Sequence, residues 1–381
     1  RRVALRIVRL CGTGRRNLVL GFMVATAAIS MFISNTATAV MLLPVALAVL
    51  GARESADEAK KSDQPFAVAL LLGIAFAANI GGMGTPVGSP PNLLFQQIYH
   101  KLTGETVSFL GWMLYGVPLI VVLLPSAWWF LVRGIPAEAG EREFALPRLQ
   151  PMSRAEWWVF GVFASAVLLW ITRADVGDLH GWGSRLQAFG ADSQDSTVAI
   201  LAALVLFIVP RERGAAPILD WRVAPRLPWG VLLLMGAGFA ISDSFKASGL
   251  TQWMGVQIQW VGHLSLPGPA LFLAVLATVV LLGILVTEFA SNAASASILL
   301  PIVFVISAAL GQERFPPQLL MVACTLACSM GFAVPAGTPP NALVFGTERI
   351  SIGRFVRIGL FVDLMAAIAI LVVIGVHWLA G

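Results

Sequence analysis

Residues 18–50 read LVLGFMVATAAISMFISNTATAVMLLPVALAVL, 33 residues without a charged side chain and with one polar knot, Ser34-Asn35-Thr36, near the middle. A straight helix of that length would be about 50 Å long, well beyond the roughly 30 Å hydrocarbon core of a bilayer. Two complete crossings need about 40 residues and a turn. Cationic residues flank both ends, Arg15 and Arg16 before, Arg53, Lys60 and Lys61 after, so both ends favour the same side of a membrane. The stretch therefore reads as a re-entrant hairpin of two half-height helices with its polar tip at mid-depth. Irregular backbone is tolerated there only where protein or a cavity surrounds it.

Composition sets the same frame. Hydrophobic residues make up 58% of the 381 and charged residues only 12%, too little charge to cover a soluble fold of this length. That excludes a water-soluble enzyme, a disordered chain and a disulfide scaffold, and leaves a polytopic all-α membrane protein. Long apolar runs argue against a β-barrel. The net charge of +5 is spread over short loops, so no nucleic-acid partner is expected. Cys324 and Cys328 share a helix face and read as packing residues. No His/Glu spacing suggests a resident metal. The chain opens on a basic stretch with Arg1 and no Met, as if cut from something longer.

Outward from the first hairpin, an apolar helix begins at about 65 and is broken at Gly81–Pro91 (GGMGTPVGSPP), then resumes at Asn92 and runs to about 99. Spans are expected at about 109–132, 156–171, 196–209 and 229–242, and an interfacial stretch at 243–267. A second hairpin follows at about 269–310, a second broken helix at 316–348 and a last span at 358–380. With the hairpins counted as no crossing and the residue 1 end cytoplasmic, 20 of the 25 Lys and Arg fall on the inside and five on the outside. The C-terminus is then outside.

The chain repeats itself. Ser34-Asn35-Thr36-Ala37 with Pro44 matches Ser291-Asn292-Ala293-Ala294 with Pro301 at an offset of 257, and Gly88-Ser89-Pro90-Pro91-Asn92 matches Gly337-Thr338-Pro339-Pro340-Asn341 at 249. The first repeat covers 1–132 and the second 133–381. On the topology above, one hairpin enters from inside and the other from outside, so the repeats are inverted. Inverted repeats with paired broken helices point to a secondary transporter with a midplane site. Helices restarting after the Asn tips aim N–H groups inward and suit an anion. Carbonyls freed at the breaks, with Ser, Thr and Asn oxygens, suit a small hard cation such as Na⁺.

On these residues, with Thr287-Glu288 before the second tip and Pro228-Trp229-Gly230 opening a Gly-rich span, the chain resembles the divalent anion:sodium symporter family, the sodium-coupled dicarboxylate, citrate and sulfate transporters. The resemblance covers essentially the whole chain and implies about three further helices before Arg1. It implies one Na⁺ near Ser30, Ser34, Asn35 and Gly88 and a second near Thr287, Ala290, Asn292 and Gly337. It places the anion among Asn35, Thr36, Ser89, Pro90, Asn292, Ala293, Thr338 and Pro339. Ala293 departs from the family's Ser-Asn-Thr and lacks one hydroxyl donor. The resemblance further implies a homodimer in the cell membrane (the inner membrane in a bacterium), working as an elevator.

The expected activity is Na⁺-coupled symport of a C4-dicarboxylate such as succinate or malate. A dicarboxylate exchanger or a sulfate symporter is the alternative within this class. An arsenite exporter or Na⁺/H⁺ exchanger is more distant, and an intramembrane enzyme more distant still: no Ser–His pair lies within an apolar helix, and Glu288 and Asp363 sit on separate segments. Glu288 is expected to orient the tip through hydrogen bonds, with a proton-coupling carboxylate as the alternative, and Asp363 to pair with Arg357 or bond within the bundle. Trp112, Trp128, Trp129, Trp157, Trp158, Trp229 and Trp378 read as an interfacial belt. Arg349, Arg354 and Arg357 read as the basic face of an interfacial helix.

Overall fold

A computed structural model describes residues 2–12, 14–51, 64–135, 151–175, 180–189, 194–212, 216–227, 229–250, 253, 256–257 and 267–380. Among these there is no β-strand beyond an isolated bridge between Pro210 and Pro217. Arg1, Pro228 and most of the stretch expected at the interface, 243–267, lie wholly or partly outside the described residues. Among the described residues six helices are long and apolar enough to cross a membrane: Pro65–Gly82, Phe109–Val132, Arg154–Ile171, Gly268–Phe289, Asn292–Leu310 and Ile352–Ala380.

The described residues fall into two compact units. The first opens with α1 (Arg2–Cys11) and the first hairpin, α2 (Arg15–Ser30) and α3 (Asn35–Gly51), which turn at residues 31–34. The first broken helix is α4 (Pro65–Gly82) and α5 (Pro90–Thr103), followed by α6 (Phe109–Val132), which belongs to this unit from Met113 onward. Gly104, left-handed at φ 78°, ends α5 where a Cβ would be strained. The second unit contains the start of α6, α7 (Arg154–Ile171), α8 (Trp182–Ala188), α9 (Asp195–Ile208) and a 3₁₀ turn (Trp221–Arg226). The first unit resumes with α10 (Trp229–Ala247), which runs five residues beyond the span end expected at 242. It continues with the second hairpin, α11 (Gly268–Phe289) and α12 (Asn292–Leu310), then α13 (Pro317–Ala327), α14 (Pro339–Phe345) and α15 (Ile352–Ala380).

In the first unit α4 is the centre. Of its span, 89% is buried inside the protein. The residues there are small or apolar with one polar exception, Asn79. The hairpin α2–α3 packs on α4, and α11 and α12 pack on α13. The halves are exchanged: α5 lies against α12 and α13, while α14 lies against α3 and α4. Each restarted helix thus packs on the hairpin arm and broken helix of the other half, as a pseudo-two-fold would require. Phe76 of α4 meets Phe332 edge-on at 5.0 Å, and Phe355 meets both Phe76 and Phe345. α6 and α15 cross the two breaks through glycines: a Cβ on Gly116 would strike the Met83 carbonyl, and one on Gly359 the Phe332 carbonyl.

In the second unit α7 packs on α9. A capping box of Ser153 and Glu156 starts α7, and Arg173 Nε pairs with Asp195 Oδ1 at 2.6 Å. Bonds from the Ser184 hydroxyl and the Gly181 N–H hold the Asp175 carboxyl below its ordinary range. Only 11% of the α7 span is buried, so its apolar side chains need lipid or protein around them.

Two expectations are corrected. Trp112 is fully buried and stands in no interfacial belt. Arg354 and Arg357 belong to the first turns of the continuous α15, which starts at Ile352 rather than 358, so no separate interfacial helix carries them with Arg349. Of the two alternatives for Asp363, the bond within the bundle is the one found: its Oδ1 accepts the Phe332 N–H at 3.2 Å.

Candidate functional site

At each tip an Asn restarts a helix five residues after a Ser or Thr in the last turn of the preceding one. At the first, α2 ends on Ser30 and α3 begins on Asn35. The Ser30 hydroxyl, fully buried, lies 2.8 Å from Asn35 Oδ1 and 2.7 Å from the Ala78 carbonyl near the end of α4. At the second, the Thr287 hydroxyl lies 2.9 Å from Asn292 Oδ1 and 2.7 Å from the Cys328 carbonyl at the end of α13. The same triangle of hydroxyl, Asn carboxamide and freed main-chain carbonyl thus occurs twice, and Thr287 stands 257 residues after Ser30, the offset of the two Asn tips.

The breaks repeat as closely. Asn92 Nδ2 donates to the Gly82 and Thr85 carbonyls at 2.9 and 2.8 Å, and Asn341 Nδ2 to the Gly331 and Val334 carbonyls at 2.7 and 3.4 Å. All three pairs are 249 residues apart. The Asn of each Gly-[Ser/Thr]-Pro-Pro-Asn run therefore braces its own break. The Oδ1 atoms of Asn92 and Asn341, and the Ser89 hydroxyl, are buried without a protein hydrogen-bond partner. Orphaned oxygens of this kind are affordable beside an ion or water.

Sequence divides the labour between tips and breaks. Pro90-Pro91 and Pro339-Pro340 open α5 and α14 and have no N–H, so the breaks offer mainly oxygens. Around Gly88 the oxygens converge: a Cβ there would lie 2.5, 2.7 and 3.0 Å from the Gly82, Met31 and Ser30 carbonyls. The tips keep their N–H groups at Asn35, Thr36, Asn292 and Ala293, where a helix has no internal acceptor for them. The arrangement has oxygen-rich corners for cations and N–H-rich helix starts for an anion, without a buried Lys or Arg.

A buried relay joins the halves. Asn35 Nδ2 donates to Asn79 Oδ1 at 3.3 Å, and Asn79 Nδ2 donates to Thr338 Oγ1 at 2.9 Å. The first tip is therefore bonded to the second break. A Cβ on Gly82 would collide with the Asn35 carboxamide, which places that tip against its own break as well. Among the described residues no hydrogen bond runs directly from Asn35 to Asn292.

The other expected residues are placed as follows. Ser34 is exposed and its hydroxyl accepts from the Ala37 N–H at 3.4 Å; Ser291 caps α12 in the same way at Ala294. Ala290 is the half-buried residue between the arms of the second hairpin. Gly337 lies under the Glu288 carboxylate, and Ala293 is buried. Ser89 and Thr338 are buried at the starts of α5 and α14; Pro90 is half-buried and Pro339 exposed. Thr36 and Pro339 line one cavity of about 940 Å³ that runs along α3 past Leu43 and Leu47 to Arg349. Thr36 and Leu47 are about 16 Å apart at 1.5 Å per residue, so the cavity leads from tip level towards one end of α3.

Sequence reading assigned no role to Asn79, although a lone carboxamide in an apolar helix was a signal. It treated Cys328 only as a packing residue, whereas its carbonyl completes the second triangle. Glu288 makes structural hydrogen bonds, and its partners are in the break: its carboxylate accepts the Ala333 and Val334 N–H groups at 2.9 and 2.7 Å, which ties the second tip to that break.

The sequence model of the family described as sodium:sulfate symporter transmembrane region matches residues 1–380. The chain belongs to this family. It is a multi-pass membrane transporter, not an enzyme. It is 36% identical over 389 residues to a Staphylococcus saprophyticus protein named sodium-dependent dicarboxylate transporter SdcS, covering 98% of this chain and 71% of the relative. The Staphylococcus aureus protein of the same name is 36% identical over 386 residues, with the same coverage. In fold, the chain is similar to the Alcanivorax borkumensis YdaH transporter, with a TM-score of 0.59 and 18% identity over 99% of this chain and 80% of that one.

Proposed function

We propose that this transporter couples an inward Na⁺ gradient to uptake of a C4-dicarboxylate such as succinate or malate. The observation that carries the proposal is the duplicated triangle, Ser30–Asn35–Ala78 carbonyl and Thr287–Asn292–Cys328 carbonyl. Each offers a hard cation an uncharged set of oxygens next to a helix start that suits a carboxylate. Two such corners match two carboxylates and two charge-balancing ions. The names of the staphylococcal relatives support the same ion and substrate class.

In this reading one Na⁺ is held near Ser30, Ser34, Asn35 and Gly88, and the other near Thr287, Ala290, Asn292 and Gly337. The dicarboxylate lies among Asn35, Thr36, Ser89, Pro90, Asn292, Ala293, Thr338 and Pro339. Each Na⁺ draws the Asn carboxamide oxygen to itself, leaving the amide Nδ2 and the tip N–H groups to the anion. Binding of cation and anion is thereby coupled, since either alone leaves uncompensated charge in a low-dielectric site. With the residue 1 end cytoplasmic and the C-terminus outside, the cavity from Thr36 to Arg349 is the inward route. The two hairpins and broken helices form the moving part of an elevator, and two copies form the working dimer.

The test is succinate uptake into proteoliposomes. Uptake should rise with an inward Na⁺ gradient and collapse when choline replaces Na⁺. Uptake indifferent to Na⁺ but requiring preloaded dicarboxylate would make the protein an exchanger and overturn the coupling.

A further inference from the structure

Away from the tips, a second cavity of about 640 Å³ lies where three membrane helices end. Pro65 is the first residue of α4, Arg133 and Gly134 follow the last residue of α6, and Ser351 precedes α15. All three helices are long and apolar enough to span, so a place where all three stop lies at headgroup depth, not at the midplane. The lining is sorted by chemistry. Arg133, Arg354 and Arg357 supply three guanidinium groups, and Ser351 and Gly353 open the N-terminus of the 29-residue α15 onto the space. Val68, Phe130, Leu131 and Ile358 form an apolar floor, and no carboxylate is among the described lining residues.

The cationic rim is built rather than scattered. The Arg133 guanidinium sits 4.0 Å over the Phe130 ring, and Phe130 stacks on Phe361 of α15 at 3.8 Å. This ties the end of α6 to the start of α15 and holds one cation at the cavity edge. Arg354 and Arg357, three apart on α15, share one face. Arg16 Nη2 donates to the Ile135 carbonyl at 2.7 Å and fixes the chain just after Gly134. All three cations are Arg, whose planar fork matches the oxygens of a phosphate.

We infer that this cavity binds the phosphate group of an anionic phospholipid. Arg133, Arg354 and Arg357 take the phosphate, with the N-terminus of α15 behind them, and the apolar floor takes the glycerol end of the acyl chains. The floor is what favours a lipid over free phosphate, which would gain nothing from Phe130, Leu131 and Ile358. Basic pockets between membrane helices at the membrane surface recognise such headgroups in general.

The experiment uses the full chain purified in a neutral detergent, with lipid retention read by native mass spectrometry and thermal unfolding followed alongside. Phosphatidylglycerol, phosphatidylcholine and inorganic phosphate are the three probes. Phosphatidylglycerol should be retained and should raise the unfolding temperature, phosphatidylcholine should do neither, and millimolar phosphate should not reproduce the effect. The triple variant Arg133→Gln/Arg354→Gln/Arg357→Gln should bind phosphatidylglycerol roughly a hundredfold more weakly, and Arg357→Gln alone about fivefold. Arg357 is exposed, so that single variant keeps the test decisive if the triple variant does not fold. Arg185→Gln, in the second unit, should bind as the parent does. Equal retention of the two lipids, unchanged binding by Arg357→Gln, or protection by inorganic phosphate equal to that by the lipid would each overturn the inference.

Discussion

Gly88→Ala and Gly337→Ala make the same change at equivalent positions of the two repeats, and the structure assigns them different consequences. A Cβ on Gly88 would lie 2.5 Å from the Gly82 carbonyl, 2.7 Å from the Met31 carbonyl and 3.0 Å from the Ser30 carbonyl. All three are main-chain atoms that cannot swing aside, and they are the oxygens gathered at the first proposed cation corner. Overpacking of that kind costs about 1–3 kcal/mol. Spent against ion binding, this is a loss of roughly fivefold to a hundredfold or more in affinity. A Cβ on Gly337 would meet the Val334 carbonyl at 3.1 Å and the Glu288 carboxylate and carbonyl at 3.3 and 3.4 Å. A shift of a few tenths of an ångström relieves that, and the loss should stay within about fivefold. The assay is Na⁺ dependence of succinate uptake at fixed ionic strength, with reconstituted protein quantified for each variant. Gly88→Ala should raise the half-saturating Na⁺ concentration more than Gly337→Ala does. Equal shifts, or a larger one for Gly337→Ala in protein that is equally well folded, would refute the placement of cations at the breaks.

Asn35→Ala and Asn292→Ala should each abolish Na⁺-driven uptake while leaving the protein monodisperse in detergent; wild-type rates in either would count against the tip assignment. Asn79→Leu cuts the relay between the first tip and the second break, and should lower the uptake rate about tenfold or more, from loss of two buried hydrogen bonds. Uptake at the parent rate would show that the relay is idle. Ala293→Thr restores a hydroxyl at the second tip and should shift a succinate, citrate and sulfate competition profile more than it shifts yield; an unchanged profile rejects a role for this position in selectivity. Arg349→Gln, at the far end of the 940 Å³ cavity, should raise KM for succinate presented from the side onto which that cavity opens, and little from the other. Equal KM changes on both sides would remove the steering role.

Much of this was legible in the chain because it depends on residues that have few structural options. Pro-Pro and Gly-Gly inside apolar runs cannot continue a helix, and an Asn after a Ser in a run of 33 uncharged residues has to be solvated by the protein itself. Hence the helix end at Gly82 falls within the break expected at 81–91, and helices restart at Asn35 and Asn292 within the two expected tips. What was not legible depends on tertiary partners. No pattern says that Asn79 reaches Thr338, 259 residues away, or that Glu288 reaches past its own tip to Ala333 and Val334. Trp112 misled for the converse reason: an aromatic near a span end looks interfacial, but burial is decided by what packs against it. The arms of the second hairpin, 22 and 19 residues, are each long enough for a full crossing. Their re-entrant reading therefore leans on the triangle at their tip, not on length.

The two halves also differ at one place, and the difference bears on how they work. Shifted by 257, Glu288 falls on Met31; the glycines Gly116 and Gly359 set an offset of 243 for the crossing helices, which puts Asp363 on Ile120. In the first half, Met31 and Ile120 close apolar against Gly84. In the second, Glu288 and Asp363 accept the N–H groups of Phe332, Ala333 and Val334 at the matching place. The brace between tip and break is reversed as well. In the first half a break side chain bonds a tip carbonyl, Thr85 to Met31. In the second a tip side chain bonds break N–H groups, Glu288 to Ala333 and Val334. The first break is therefore held by packing, the Thr85 hydroxyl and the Asn92 carboxamide, and the second by the Asn341 carboxamide together with two carboxyl groups. The two cation corners proposed above therefore have unlike surroundings, and the same substitution need not weaken them alike. The first corner, with main-chain carbonyls crowded around Gly88, has no room for a Cβ, and this is why the paired glycine substitutions separate the two proposed sites better than removal of either Asn.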